Sequence, residues 1–214
     1  MKYGDIKIEA LKLMFVNVGD DITIDKLETY ETYEQDDTYN AYLVNMPGSI
    51  NRCFSALESK GVLPSKSKAL TALEGVASGA FIRFDLPSII DNYCDIDRVV
   101  SETTDGEYCG DCDYQIEGDT LVLERFDDED ITYTVLYRPT IPRVESLTDN
   151  EWEVPIPENI VSLIPYFVKG DLYRDDEPNE ASEARNWFES GIEEILLRKT
   201  NKVSRIKTVY SQTE

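Results

Sequence analysis

The chain has 214 residues, 43 acidic side chains against 21 basic ones, a formal net charge of −22, and no histidine. Such a length suits one domain or a domain with an insertion, large enough to bury a core without disulfides or metal. The charge balance argues against autonomous binding to a phosphate backbone, and the lack of histidine excludes Ser-His-Asp and Cys-His catalysis and every His-containing metal site.

Residues 1–9 alternate charge with apolar side chains and lack the continuous apolar core of a signal peptide. No run approaches the roughly 18 apolar residues of a membrane span, so no membrane association is expected. Four cysteines, Cys53, Cys94, Cys109 and Cys112, fit a reducing cytosol better than a secreted disulfide scaffold. The first predicted helix covers Ile6 to Asn17, with Ile8, Leu11, Met14 and Phe15 on one side. Val18 to Asp37 holds eight acids against the single base Lys26 and reads as a solvated acidic loop with a short helical turn. A second helix is predicted over Thr38 to Lys60, where Ile50, Cys53, Phe54 and Leu57 repeat at helical spacing and Gly61 supplies a stop. Pro47-Gly48 is expected to kink or divide it, because proline donates no hydrogen bond to the preceding turn. Cys53 on that apolar face is expected to be a small buried hydrophobe.

From Gly61 to Val144 the periodicity shifts towards two. Ser67–Leu73, Ala80–Phe84 and Ile96–Ser101 are predicted strands, and Leu86-Pro87-Ser88 starts an irregular link. The clearest hairpin pairs Thr120–Phe126 with Ile131–Tyr137 across Asp127-Asp128-Glu129-Asp130. Its second strand puts Ile131, Tyr133, Val135 and Tyr137 on one face, which implies a small antiparallel sheet with two different environments.

Val154 to Lys199 reads as a helical hairpin. Ile160, Leu163, Ile164, Phe167 and Val168 form one apolar stripe, and Ala181, Ala184, Phe188, Ile192, Ile195 and Leu196 form the other. Arg174 to Asn179 separates them, with Pro178 and a candidate N-cap Asn179 as punctuation. After Lys199 the pattern stops. Residues 198–214 carry five bases and one acid, net +4, which leaves −26 on residues 1–197. The expected fold class is therefore α+β. An antiparallel helical bundle of N- and C-terminal helices carries an inserted small antiparallel β-sheet domain and an extended C-terminal tail. The expected segments are 1–60 for the N-terminal helices, 61–150 for the β-rich insertion, 151–199 for the C-terminal hairpin and 200–214 for a basic arm.

Several stretches, in order, carry a resemblance. They are Ala10-Leu11-Lys12-Leu13, then Ser49 to Leu57, then Leu86-Pro87, then Val135-Leu136-Tyr137-Arg138-Pro139. The last are Leu163 to Val168 and Leu172 to Glu177. Together they resemble the head-tail connector (adaptor) proteins of tailed bacteriophages over most of residues 5–198. The resemblance implies a structural virion protein of the neck, assembled in the host bacterial cytoplasm. It implies a ring, commonly twelve-fold, that docks under the portal protein, contacts tail and neck proteins below, and encloses DNA without reading its sequence. It also implies that Arg198, Lys199, Lys202, Arg205, Lys207 and Tyr210 belong to an arm binding the portal or a neighbouring subunit. Another phage assembly or tail-completion protein, or an acidic binder of a host factor, is the alternative.

No enzyme activity, cofactor or metal is expected. Cys109-Gly110-Asp111-Cys112 is a single knuckle without histidine, too few ligands for structural zinc, and Glu107, Asp111 and Asp113 disfavour the thiolate that redox exchange requires. It reads as a loop of paired or free thiols. Asp111, Asp113 and Gln115 imitate the opening of a calcium loop, but Ile116 stands where glycine is needed. Neither GxxxxGK[ST] nor GxGxxG occurs, and the acidic clusters at 127–130 and 175–177 read as solvated turns.

Overall fold

The computed structural model describes residues 1–15, 23–24, 27, 38–103, 105, 107–125 and 131–210, without the side chains of 38 and 200–210. Most of the acidic stretch Val18–Asp37 and the 127–130 cluster lie outside the described residues. The chain is α+β, with two antiparallel four-stranded sheets and several helices. It divides into two compact units, Met1–Val62 with Arg143–Glu214, and Leu63–Pro142.

In the first unit, α1 (Tyr3–Met14) starts three residues before the predicted Ile6, because the Asp5 carboxylate accepts the Lys2 backbone N–H at 2.9 Å and closes the first turn. It ends at Met14, where Phe15 is already extended. Tyr3, Ile6, Ile8, Ala10, Leu11 and Met14 are buried, more than the one predicted side. The reason is that the start of α1 is also roofed by residues 150–153. Gly4 N–H donates to the Asn150 carbonyl at 2.8 Å, Tyr3 N–H to that of Trp152 at 2.9 Å, and Lys2 bridges to Glu153. The buried Lys7 ammonium donates to Asn150 Oδ1 at 3.0 Å and lies 4.3 Å from the Tyr3 ring centroid.

Helix α2 (Thr38–Ser59) runs through Pro47 undivided. Leu43, Met46 and Ile50 are buried on both sides of the proline, and this packing outweighs the missing backbone bond. Asn51 works like a strand partner for residue 144, donating to the Val144 carbonyl at 2.7 Å and accepting its N–H at 2.9 Å. The predicted first helix of the C-terminal pair is two pieces, α4 (Glu158–Val161) and α5 (Ile164–Leu172), because Pro165 cannot continue a ladder from α4 and instead begins a new helix. Helix α6 (Pro178–Tyr210) opens with Pro178 itself, and the Glu177 carbonyl accepts the Ala181 N–H at 2.9 Å, so Asn179 lies inside the first turn instead of capping it. Ala181, Ala184, Phe188 and Ile192 are buried as their spacing predicts. The helix does not stop at Lys199. It continues through residues 200–210, a stretch without glycine or proline whose basic side chains suit a helix C-terminus, so that much of the predicted arm is helical backbone.

The β unit corrects the predicted hairpin. Strands are β1 (Lys66–Thr71), β2 (Val76–Ser78), β3 (Phe81–Asp85), β4 (Tyr93–Thr103), β5 (Tyr108–Asp111), β6 (Tyr114–Glu117), β7 (Thr120–Glu124) and β8 (Ile131–Pro139), with a short helix α3 (Leu86–Ile89) after β3. One sheet has the order β1-β8-β4-β5 and the other β2-β3-β7-β6, so β7 and β8 belong to different sheets. Two sheets replace the single one expected. Their apolar faces meet instead of lying side by side, and Leu121, Leu123, Ile82 and Phe84 of one sheet share a core with Tyr133, Val135, Val99 and Leu70 of the other. Ile131 and Tyr137 pack at its margin, so the face shared by Ile131, Tyr133, Val135 and Tyr137 is the one turned to the core. Val122 points away from this core, and it is covered by the Arg83–Glu117 ion pair at 2.6 Å, which reaches across β7.

Two helical glycines separate packing from propensity. A Cβ at Gly191 would stand 2.6 Å from Leu163 Cδ2, whereas one at Gly48 would meet only Arg52 Nη1 at 3.5 Å. Gly48→Ala is expected to raise unfolding stability by about 0.5–1 kcal/mol through helix propensity alone. Gly191→Ala is expected to lower it by about 1–3 kcal/mol through overpacking. Urea unfolding followed by circular dichroism reads both signs.

Candidate assembly surface

The basic segment is presented by α6, so what fixes α6 fixes the candidate surface. Gly170 lets α5 and α6 approach closely, since a Cβ there would meet Arg185 Cγ at 2.7 Å and the Ala181 carbonyl at 3.1 Å. Arg185 Nε donates to the Gly170 carbonyl at 3.2 Å, and Phe167 meets Phe188 edge-on at 5.1 Å. From α5, Lys169 Nζ reaches both the Leu13 carbonyl at 2.7 Å and Glu180 at 2.8 Å, while the Tyr173 hydroxyl donates to the Met14 carbonyl at 2.5 Å. These two donors occupy carbonyls at the C-terminal end of α1, which have no partner within their own helix. Phe15 then packs edge-on against Tyr39, Tyr42 and Tyr173, and Tyr42 donates to Asp176 at 3.0 Å. Arg52 holds Asp171 through Nε at 2.9 Å and Nη2 at 2.5 Å.

The six predicted partner-binding residues fall in different settings. Arg198 pairs with Glu194 at 2.5 Å one turn back, and its side chain is 73% exposed. Exposed pairs of this kind add little stability and leave the guanidinium accessible. Lys199 instead donates to the Gly61 carbonyl at 3.3 Å, placing a cation at the C-terminus of α2, where Gly61 adopts φ 63°. Lys202, Arg205, Lys207 and Tyr210 sit on the helical backbone of α6, and their side chains are outside the description.

A groove of about 550 Å³ lies between α1, α4 and α5. Ile8, Leu13, Pro165 and Tyr166 give it apolar lining, and Asp5, Glu9 and Glu158 contribute three carboxylates against the one ammonium of Lys12. Glu9 holds Lys12 at 3.1 Å, while Glu158 has no ion-pair partner among the described residues. Trp187, 61% exposed, stands beside Tyr166 with ring centroids 6.5 Å apart. Sequence spacing missed this groove because its walls come from segments about 150 residues apart. Trp187 was the one available signal, a large aromatic on the polar side of an otherwise regular apolar stripe.

The cysteines behave individually. Cys53 is buried, and desolvation, with Asp171 adding to it, holds its thiol far above the ordinary range. Cys109 is in β5, not in a loop, and is exposed, as is Cys94. Burial raises the Cys112 thiol, the Ser101 hydroxyl opposes the shift, and Asp111 and Asp113 reinforce it. Among the described residues, no group of three or more Cys, Asp and Glu is gathered to hold a metal. Asp111 lies in β5 and Gln115 in β6, strands of different sheets, so they do not share a calcium loop. No described helix is long and apolar enough to cross a membrane.

No family model matches the chain, and no curated protein matches it.

Desolvation, followed by the negative surroundings of Tyr42, Glu180, Glu177 and Asp176, pushes the Tyr173 phenol up to about 12. The folded state thus holds this proton more tightly than the unfolded chain, whose tyrosines titrate near about 10. Stability is unaffected below that pH and falls as pH rises from about 10 to about 12. Tyr173→Phe is expected to cost about 1 kcal/mol at neutral pH and to remove this component of the alkaline loss. Urea midpoints of the two proteins from pH 7 to 12 measure both effects.

Proposed function

We propose that the chain is a structural virion protein, a ring-forming head-tail adaptor of a tailed bacteriophage. It docks under the portal and joins capsid to tail around the DNA channel. The observation that carries this reading is the organisation of the first unit. Residues from both sides of a β-rich insertion contribute to it, and from it α6 continues into a basic segment net +4, beside a body net −26. In this reading the helices form an antiparallel bundle that acts as the wedge between neighbours in a ring, commonly of twelve, and Arg198 to Tyr210 form the arm that meets a neighbour or the portal. An acidic surface suits a conduit that DNA crosses without sticking, because like charge disfavours adsorption. Its role is assembly in the neck of the virion, with no catalysis and no cofactor. The ordered sequence resemblance supports the same reading.

The test is native mass measurement of the chain alone and mixed with the portal protein of the same phage. The adaptor reading predicts a stable complex of several chains per portal ring. A chain that ignores portal and co-purifies with a host protein would overturn it in favour of an acidic host-factor binder.

A further inference from the structure

We propose, resting on the ring reading above, that the groove between α1, α4 and α5 receives the basic end of α6 from a second copy of this chain. Charge and shape support the match. The groove is apolar within and net negative at its edge, with Glu158 unpaired among the described residues and the exposed Trp187 beside it. Along α6, Val203, Ile206 and Tyr210 recur at three- and four-residue spacing, which puts them on one helix face, with Lys202 and Lys207 to either side of that face. An apolar stripe between cations complements an apolar groove between carboxylates, the arrangement by which an amphipathic helix lies in a groove.

The occupant is a second copy because the chain's own segment is directed elsewhere. Gly191 lies against Leu163, at the groove end of α5, where a Cβ would approach to 2.6 Å. From Gly191 the helix runs on through Tyr210. Those 19 steps carry the last turn about 28 Å further along the axis at the usual rise of ~1.5 Å per residue. Lys199 is already at Gly61, at the far end of α2. A helix leaving one copy in this direction and entering a different surface of the next makes a head-to-tail contact. Contacts of that kind close into rings when the rotation permits.

Charge reversal on both sides tests the contact with full-length chains. Glu9→Lys with Glu158→Lys reverses the groove, and Lys202→Glu with Arg205→Glu and Lys207→Glu reverses the helix end. Circular dichroism first verifies that each variant keeps its helix content. Sedimentation velocity is then expected to show concentration-dependent association of the unaltered chain, weakened at high salt. Each variant alone should associate about tenfold or more weakly. An equimolar mixture of the two should recover association, since each then offers the other a complementary partner. If both variants associate as well as the unaltered chain, if the mixture does not recover, or if the unaltered chain stays monomeric at high concentration, the groove is not the docking site. Ring formation with portal in any of those cases leaves the adaptor reading standing, so the two failures are told apart.

Discussion

The first unit depends on how the C-terminus of α1 is closed. A helix ending inside a protein leaves its last carbonyls without partners, and an unmet buried carbonyl costs about 1–3 kcal/mol. Here the partners come from α5, more than 150 residues later: Lys169 takes the Leu13 carbonyl and Tyr173 takes that of Met14. Lys169 also donates to the Glu180 carboxylate in the first turn of α6, so one ammonium ties three helices. Asp171, between those two residues in sequence, takes Arg52 from α2. One short helix thereby connects the segments on both sides of the β-rich unit, and α6 inherits its direction from it.

The β unit follows a different logic. Its strands are short and two-sided: β2–β3, β4–β5 and β6–β7 pair as successive antiparallel neighbours, while the chain changes sheet between β1 and β2, β3 and β4, β5 and β6, and β7 and β8. Strands β7 and β8 lie in different sheets, and the Tyr133 hydroxyl donates across to the Glu124 carbonyl at 3.3 Å. Face-to-face packing then buries Phe84 against Tyr133 edge-on, at 5.9 Å between ring centroids. This is how an acidic chain with many polar strand positions still obtains a dry interior.

Local periodicity was sufficient for much of this. The stripe Ala181, Ala184, Phe188 and Ile192 is buried as spaced, Cys53 is a buried hydrophobe, and alternation put Tyr133 and Val135 together on one face of β8, which is the buried one. Pairing was not legible, because the side-chain alternation of a strand states which face is buried but not which strand lies beside it. Punctuation misled in three places, all for reasons of context. Burial of Met46 and Ile50 kept the helix undivided at Pro47, Pro165 split a stripe that reads as continuous, and the basic stretch after Lys199 remained helical, with Val203, Ile206 and Tyr210 continuing at the spacing of Phe188 and Ile192. The groove beside Trp187 was invisible for another reason: Glu9 and Glu158 are ordinary surface acids until the fold brings α1 and α4 together.

Hydrogen exchange across α6 separates the anchored part of the helix from the part assigned to assembly. In dilute chain, amides of Ala184, Phe188 and Ile192 are expected to be as protected as those of Ile8 and Leu11 in α1. Amides from Lys202 to Tyr210, in the last turns of the helix, should be clearly less protected, and should gain protection when the chain assembles. Equal protection of 202–210 and 184–192 in the dilute chain would contradict the account, because the basic end of α6 would then already be satisfied by its own body.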